Sequence, residues 1–263
     1  MSKIVLEIRE GVGGEEASLF ALELMQMYQA CAAKQKWKVK VLNSTPSKTK
    51  GIKTATLEVS GENVDMLRFE GGVHRVQRVP ATEAKGRVHT STATVAVLEE
   101  KVAAQVKLDM NDVEITTCRS SGAGGQHVNK TESAIRAVHK PTGIVVECQD
   151  ERSQVQNKAR ALEILQQRVQ DFYQGKIDSA YAQERRDQVG NGDRCEKIRT
   201  YNFPQDRITD HRLNKNFGGI DKIMGGNLIK ILKEFEKSSE SWVRVPKFHS
   251  RDIKFLALPF SCG

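Results

Sequence analysis

Residues 119–129 read Arg119-Ser120-Ser121-Gly122-Ala123-Gly124-Gly125-Gln126-His127-Val128-Asn129, and the rest of the chain is organised around them. Three glycines in four positions lift almost every steric limit on the backbone and let another molecule approach it closely. A β-patterned run, Val113 to Cys118, leads into the stretch, and an alternating run, Ser133 to His139, leads out of it. The pattern predicts a loop carried by a small sheet, where backbone N–H groups can do chemistry. Gln126 adds an uncharged amide that both donates and accepts. No nucleophile–base pair and no metal-ligand spacing stands close to it in the sequence. Such a loop suits placing a water and stabilising a developing oxyanion in a site completed by another molecule. A plain Gly-rich hairpin is the competing reading.

Working outward, Pro141-Thr142-Gly143 predicts a turn into a third strand, Ile144 to Cys148. Ser153 to about Gln188 predicts a long helix with Val155, Ala159, Leu162, Val169, Phe172, Tyr173, Ile177 and Tyr181 on its apolar stripe. Val189 to Arg194, with Gly190 and Gly192, is a break and a candidate hinge. Upstream, Ile4 to Ile8 reads as a strand. Gly11-Val12-Gly13-Gly14-Glu15-Glu16 then turns into a helix running to about Lys34. Glu15 and Glu16 in its first turn complement the helix dipole, and the exposed N–H groups there can also meet a ligand. Strands follow at Trp37 to Leu42, Thr54 to Ser60 and Thr90 to Leu98, with Pro46 to Lys53 a solvated loop. Gly219 to Lys237 reads as a last amphipathic helix weakened by Gly225 and Gly226.

A second stretch, Gly71 to Lys85, interleaves Val73, Val76 and Val79 with Arg75 and Arg78, and Arg87 follows. Such cations can neutralise phosphates and set register on RNA, or they can be scattered charges on an edge loop. Thr82 offers a hydroxyl able to read a base edge, and His89 offers a stacking surface. The formal net charge of +8 favours a polyanionic partner. Five Cys, an odd number with no C-x-x-C pair, argue against a disulfide framework or a zinc site and for reduced thiols in a cytosol-like compartment. No apolar run reaches transmembrane length, and Met1-Ser2-Lys3 does not resemble a signal peptide.

Gly124-Gly125-Gln126, within Arg119 to Thr131, resembles the signature of class I peptide chain release factors. The resemblance continues through Pro141 to Val146, Gln149 to Gln154, Arg199 to Gln205, Thr209 to Arg212 and Gly71 to Thr94. Pro80-Ala81-Thr82 is similar to the tripeptide of the bacterial type that reads UAA and UAG. The resemblance implies an α+β fold. Its codon-reading α/β sandwich-like body would combine residues 1–108 with a C-terminal part, residues 199–263. A small inserted sheet-plus-long-helix domain, residues 109–198, would carry the Gly-Gly-Gln loop.

The resemblance also implies roles for residues. Gly124, Gly125 and Gln126 would serve hydrolysis of the peptidyl-tRNA ester, and Gln126 would be methylated on its amide nitrogen by a glutamine methyltransferase. Gly13, Glu16, Gln77, Pro80, Ala81, Thr82, His89 and Thr90 would contact the codon. Gly190, Gly192, Arg199 and Tyr201 would belong to the hinge that moves the inserted domain. Implied partners are the ribosome at its decoding and peptidyl transferase centres, the mRNA stop codon and peptidyl-tRNA, with a monomeric cytoplasmic or organelle-matrix protein, no membrane, no cofactor and no metal. A codon-independent rescue factor and a non-catalytic competitor for the decoding site are the alternatives.

The chain departs from the family pattern twice. The usual member has a helical domain ahead of the strand at Ile4, which docks at the ribosomal stalk base and receives a recycling GTPase. The stretch from about Lys237 to Gly263 matches nothing in the family, and its apolar content leaves packing, partner binding and an altered reading frame all open.

Overall fold

The computed structural model describes residues 2–48, 50–80, 83, 86–100, 106–120 and 131–239. The chain divides into two compact units, residues 1–99 with 188–263 and residues 100–187.

The larger unit is built on one eight-stranded sheet. In chain order its strands are β1 (Ser2–Glu10), β2 (Lys38–Pro46), β3 (Ile52–Gly61), β4 (Gly72–Arg78), β5 (His89–Glu99), β9 (Lys197–Asn202), β10 (Arg207–Asp210) and β11 (Lys215–Gly218). Their spatial order is β11-β10-β9-β4-β5-β1-β3-β2, antiparallel except where β4 meets β9. Period-two alternation turns Ile4, Leu6 and Ile8 of β1, Leu57 and Val59 of β3, and Val95 and Val97 of β5 toward one core. Helix α1 (Glu15–Gln35) closes that core with Phe20, Leu24, Met27, Tyr28 and Cys31, spaced three and four residues apart. Burying each large apolar side chain stabilises by roughly 1.5–3 kcal/mol. α1 stops at Lys36, which turns left-handed and lets the Trp37 N–H return to Ala32 O at 2.9 Å.

The single helix expected over 219–237 is two helices, Ile220–Met224 and Ile229–Ser239. Gly226, at φ +99°, lies so close to α1 that a Cβ would meet the Ala30 carbonyl carbon at 2.6 Å, so the chain bends there to bring both short helices onto the core. β2 also runs further than the sequence pattern suggests, through a register irregularity between Val41 and Asn43. It is an edge strand, and most of its residues are exposed.

The smaller unit has the antiparallel sheet β6 (Val113–Cys118), β7 (Ala134–His139) and β8 (Ile144–Cys148), in that order. Helix α2 (Gln154–Val189) packs on it. The expected stripe through Val155 and Ala159 is wrong: Val155 is 76 % exposed, and the buried positions are Asn157, Ala161, Leu165 and Val169. Asn157 sets this face. Its amide donates to Ser133 O and Glu151 O, both at 2.8 Å, and accepts from Glu151 N–H at 2.9 Å. A buried amide that satisfied outweighs the small apolar gain of turning Val155 inward.

Candidate functional site

One end of the larger unit gathers several residues singled out in the sequence. Beyond β1, the Gly11 N–H donates to Thr92 O and the Thr92 N–H donates to Val12 O, both at 2.9 Å, while the Val12 N–H donates to Thr92 Oγ1 at 2.8 Å. The loop before α1 is thereby tied to β5. Gly13 sits at φ +139°, and a Cβ there would run into Ser91, so only glycine brings the helix tip this near the strand. The N-terminus of α1 and the facing ends of β4 and β5 form one surface.

The strand register supplies the other members. Gln77 is opposite Thr90 and Arg78 is opposite His89. Gln77 and Thr90 therefore share the face turned away from α1, and Arg78 points to the α1 side. Asn202 of β9 lies beside Gln77, its Nδ2 donating to Gln77 Oε1 across 3.4 Å. His89 Nε2 is 2.7 Å from Glu83 Oε2, which also pairs with Arg87. Pro80 is buried, and its carbonyl accepts from the Glu83 N–H at 3.0 Å. Ala81 and Thr82 lie outside the described residues.

Glu16 is only 5 % exposed. Arg78 Nε donates to its Oε1 at 2.5 Å, and Arg78 Nη1 donates to Glu23 Oε2 at 2.7 Å. The guanidinium also stands 5.2 Å from the centre of the Phe203 ring. Burial alone would pull the Arg78 pKa down, but Glu23 and Glu16 overrule it and leave it raised. Arg78 is therefore engaged within the fold and does not serve as a free phosphate contact. Glu16 Oε2 is the one buried side-chain polar atom without a hydrogen-bond partner among the described residues.

Deeper in the same unit lies a cluster that the sequence pattern does not reveal. Arg199 donates to both Glu70 oxygens at 2.8 Å and to Asp210 Oδ2 at 3.1 Å, and all three side chains are fully buried. Tyr28 donates to Glu70 Oε2 at 3.0 Å, and Arg212 Nη2 donates to Asp210 Oδ2 at 2.9 Å. His74 bridges Glu70 O at 3.0 Å and the Tyr201 hydroxyl at 3.3 Å. Burial pushes the His74 pKa down to about 4, so it is neutral near pH 7. Burial opposes ionisation of Glu70 as well, yet Arg199 and its neighbours hold that carboxyl below its usual range. Arg199 and Tyr201 are thus strand residues inside the core. Gly190 and Gly192 have left-handed backbone at φ +57° and +73°, and the Gly192 carbonyl accepts from Thr92 Oγ1 at 3.2 Å.

In the smaller unit, residues 121–130 lie outside the described residues, and with them Gly124, Gly125 and Gln126. Both flanks are held. Ser120 and Ser133 hydroxyls are 3.2 Å apart, Arg119 and Glu132 pair at 3.9 Å, and Gln154 Nε2 donates to Glu132 O at 3.1 Å. Among the described residues no group of three His, Cys, Asp or Glu side chains could hold a metal ion, and no helix is long and apolar enough to cross a membrane.

Two domain families match this architecture: the PCRF domain over residues 1–95 and the RF-1 domain over residues 100–212. Peptide chain release factor 1 of Aquifex aeolicus is 51% identical over 243 residues, 90% of this chain and 67% of that protein. The chain belongs to the peptide chain release factor family. Peptide chain release factor 1 of Limosilactobacillus reuteri is 54% identical to this release-factor chain over 231 residues, 88% of the chain and 64% of that protein. The solved structure of RF2 of Thermus thermophilus superposes with a TM-score of 0.53 at 37% identity, covering 88% of this chain and 66% of that one. The release-factor chain spans just under two thirds of the length of several of its curated relatives.

Arg78, Glu23 and Glu70 are the residues that sequence reasoning missed. A signal for the first two was present, because Glu16 and Glu23 are seven residues apart and so share one face of α1.

Proposed function

We propose that this chain terminates translation by reading UAA and UAG in the ribosomal decoding site and promoting hydrolysis of the peptidyl-tRNA ester. The observation that supports the reading is the tie of the α1 tip to the ends of β4 and β5: Gly13 packs on Ser91 and Glu16 on Arg78, with His89 opposite Arg78 and with Gln77 and Thr90 paired on the other face of the same strand ends. These groups offer donors and acceptors on rigid elements, which is what discrimination between base edges requires. Pro80, Ala81 and Thr82 complete the reading face in this proposal, with residues 1–108 and 199–263 as its body. Gly190 and Gly192, with Arg199 and Tyr201 beyond them, link that body to the hydrolysis domain, residues 109–198.

In the peptidyl transferase centre a water oxygen attacks the ester carbonyl carbon. The bond from that carbon to the tRNA 3′ oxygen breaks, and the leaving oxygen takes a proton. Gly124 and Gly125 allow the backbone shape, and the Gln126 N–H stabilises the developing negative charge. The Gln126 side chain, a substrate for methylation, orients the water and excludes larger nucleophiles. Placing the water is worth about 7–11 kcal/mol in favourable cases. The protein acts as a cytoplasmic monomer with ribosomal RNA, mRNA and peptidyl-tRNA as partners.

The test is peptide release from ribosomes holding an initiator peptidyl-tRNA over UAA, UAG, UGA or a sense codon. Release at UAA and UAG alone is expected, and Gln126→Ala should suppress it at both. Release regardless of codon would sink the codon-reading half of the proposal.

A further inference from the structure

We propose that Arg75, Lys197 and His211 form a seat for an RNA phosphodiester on the sheet face turned away from α1, with Thr200 holding two of them in place. The seat rests on the codon-reading proposal above and adds to it a contact with the RNA backbone. The strand register builds it. Arg75 of β4 pairs with Thr200 of β9, and two residues further along the same strands Gln77 pairs with Asn202. Side chains two apart share a face, so Arg75 and Thr200 stand about 7 Å from Gln77 and Asn202 on one surface. Arg75 Nε donates to Thr200 Oγ1 at 3.2 Å, and His211, which follows β10, brings Nε2 to the same hydroxyl at 2.8 Å. The His211 N–H donates to Ile198 O at 2.9 Å and fixes the backbone that carries the ring.

What sets Arg75 apart is a missing counter-charge. Arg78, Arg199 and Arg212 each lie on a carboxylate. Arg75 is half-buried, and among the described residues its guanidinium has Thr200 and no carboxylate. Burial accordingly holds its pKa below the usual range, whereas Arg78, under the same kind of penalty, is raised by Glu23 and Glu16. Burial also lowers the His211 pKa, and the charges of Lys197 and Arg75 push it the same way. Asp210 acts on His211 in the opposite direction, but its oxygens are already engaged by Arg199 and Arg212. A half-buried guanidinium, an ammonium and an imidazole that disfavour one another's charge are relieved when an anion joins them. The Nη groups of Arg75 have no partner among the described residues, and a guanidinium fork matches two phosphate oxygens. RNA suits the place because Gln77, Asn202 and Thr90 present base-edge donors and acceptors on the same face, and one strand offers both bases and phosphates.

Binding of the full 263-residue chain to ribosomes programmed with UAA or with CAA should be measured from about 50 to about 200 mM KCl. Arg75→Gln should weaken binding about tenfold at the lower salt and make the slope of log K against log salt shallower by about one. The loss should be the same factor at UAA and at CAA, because a phosphate contact carries no sequence information. Arg75→Lys keeps the charge and should keep the slope. Lys197→Gln should flatten the slope by less, which keeps the test open if Arg75→Gln does not fold. A neutral methylphosphonate placed at successive linkages of the message separates the two sources of phosphate. If one such linkage abolishes the effect of Arg75→Gln, the phosphate is the message's; if none does while the slope still changes, it belongs to ribosomal RNA. An unchanged slope in Arg75→Gln, or in Lys197→Gln when Arg75→Gln is unfolded, overturns the seat, and so does a loss confined to UAA. If the unaltered chain shows no preference for UAA over CAA and Arg75→Gln still flattens the slope, the codon-reading proposal falls and the seat stands.

Discussion

Glu70 and Glu16 are both buried carboxylates paired with arginine in the same unit, yet their surroundings differ in one respect. Both oxygens of Glu70 are engaged, by Arg199 and Tyr28, in a cluster closed off from solvent. Glu16 has one oxygen engaged by Arg78 and one left over. A buried charge whose valences are all met belongs to the fold, because any change to it breaks something. A buried carboxyl with one oxygen unmatched gives the fold less to lose when it is changed. The same pairing of carboxylate with arginine is thus complete at Glu70 and half complete at Glu16.

The sharpest way to break this contrast is to remove the central cation. Arg199→Met leaves Glu70 and Asp210 buried together without their guanidinium and should cost roughly 3–5 kcal/mol in urea unfolding. A loss below about 1 kcal/mol would mean the cluster is not structural. Next in size is acid. Between about pH 6.5 and about pH 4 the unfolded chain binds a proton at His74 that the folded chain refuses. Stability therefore falls as pH drops through that window, by up to about 3 kcal/mol. The depressed Glu70 carboxyl pushes the same way at the acid end. Urea midpoints against pH should show the slope, and His74→Gln should flatten it.

Glu16→Gln sharpens the other side of the contrast. It should shift the unfolding free energy by no more than about 1 kcal/mol, because Arg78 keeps Glu23 and the amide still accepts from Nε. A penalty as large as that of Arg199→Met would place Glu16 with the structural centre. Smallest of all, Glu147→Gln removes a surface pair with Arg136, whose side chains are 50% and 68% exposed, and should change stability by less than about 0.5 kcal/mol.

The helices and strands were largely legible because their apolar spacing is strong. Phe20, Leu24, Met27 and Cys31 keep helical spacing, and Ile4, Leu6 and Ile8 recur at period two although Val5 between them is apolar as well. Periodicity failed on α2, where the buried face is chosen by a polar residue, Asn157, whose three backbone partners lie in other segments. It failed over 219–237 because the close approach of Gly226 to Ala30 is a tertiary fact. Gly13, Glu16, Gln77, His89 and Thr90, the proposed codon contacts, came from a family resemblance and not from spacing. Arg78 was visible only as one more cation, since its pairing with Glu16 and Glu23 spans 62 and 55 residues. Glu70 and Arg199 were unreadable as a pair for the same reason.

The separation of that last pair has a consequence for how the protein is made. Glu70 and Arg199 are 129 residues apart, and β4 finds its second neighbour only when β9 has been synthesised. At about 5–20 residues per second, on the order of ten seconds pass between the two events. Over that interval the nascent sheet has an open border at β4 and a carboxylate awaiting its counter-charge, while the intervening stretch can already form its own small sheet. The sheet of the larger unit is therefore completed last, when β9, β10 and β11 follow the inserted stretch off the ribosome.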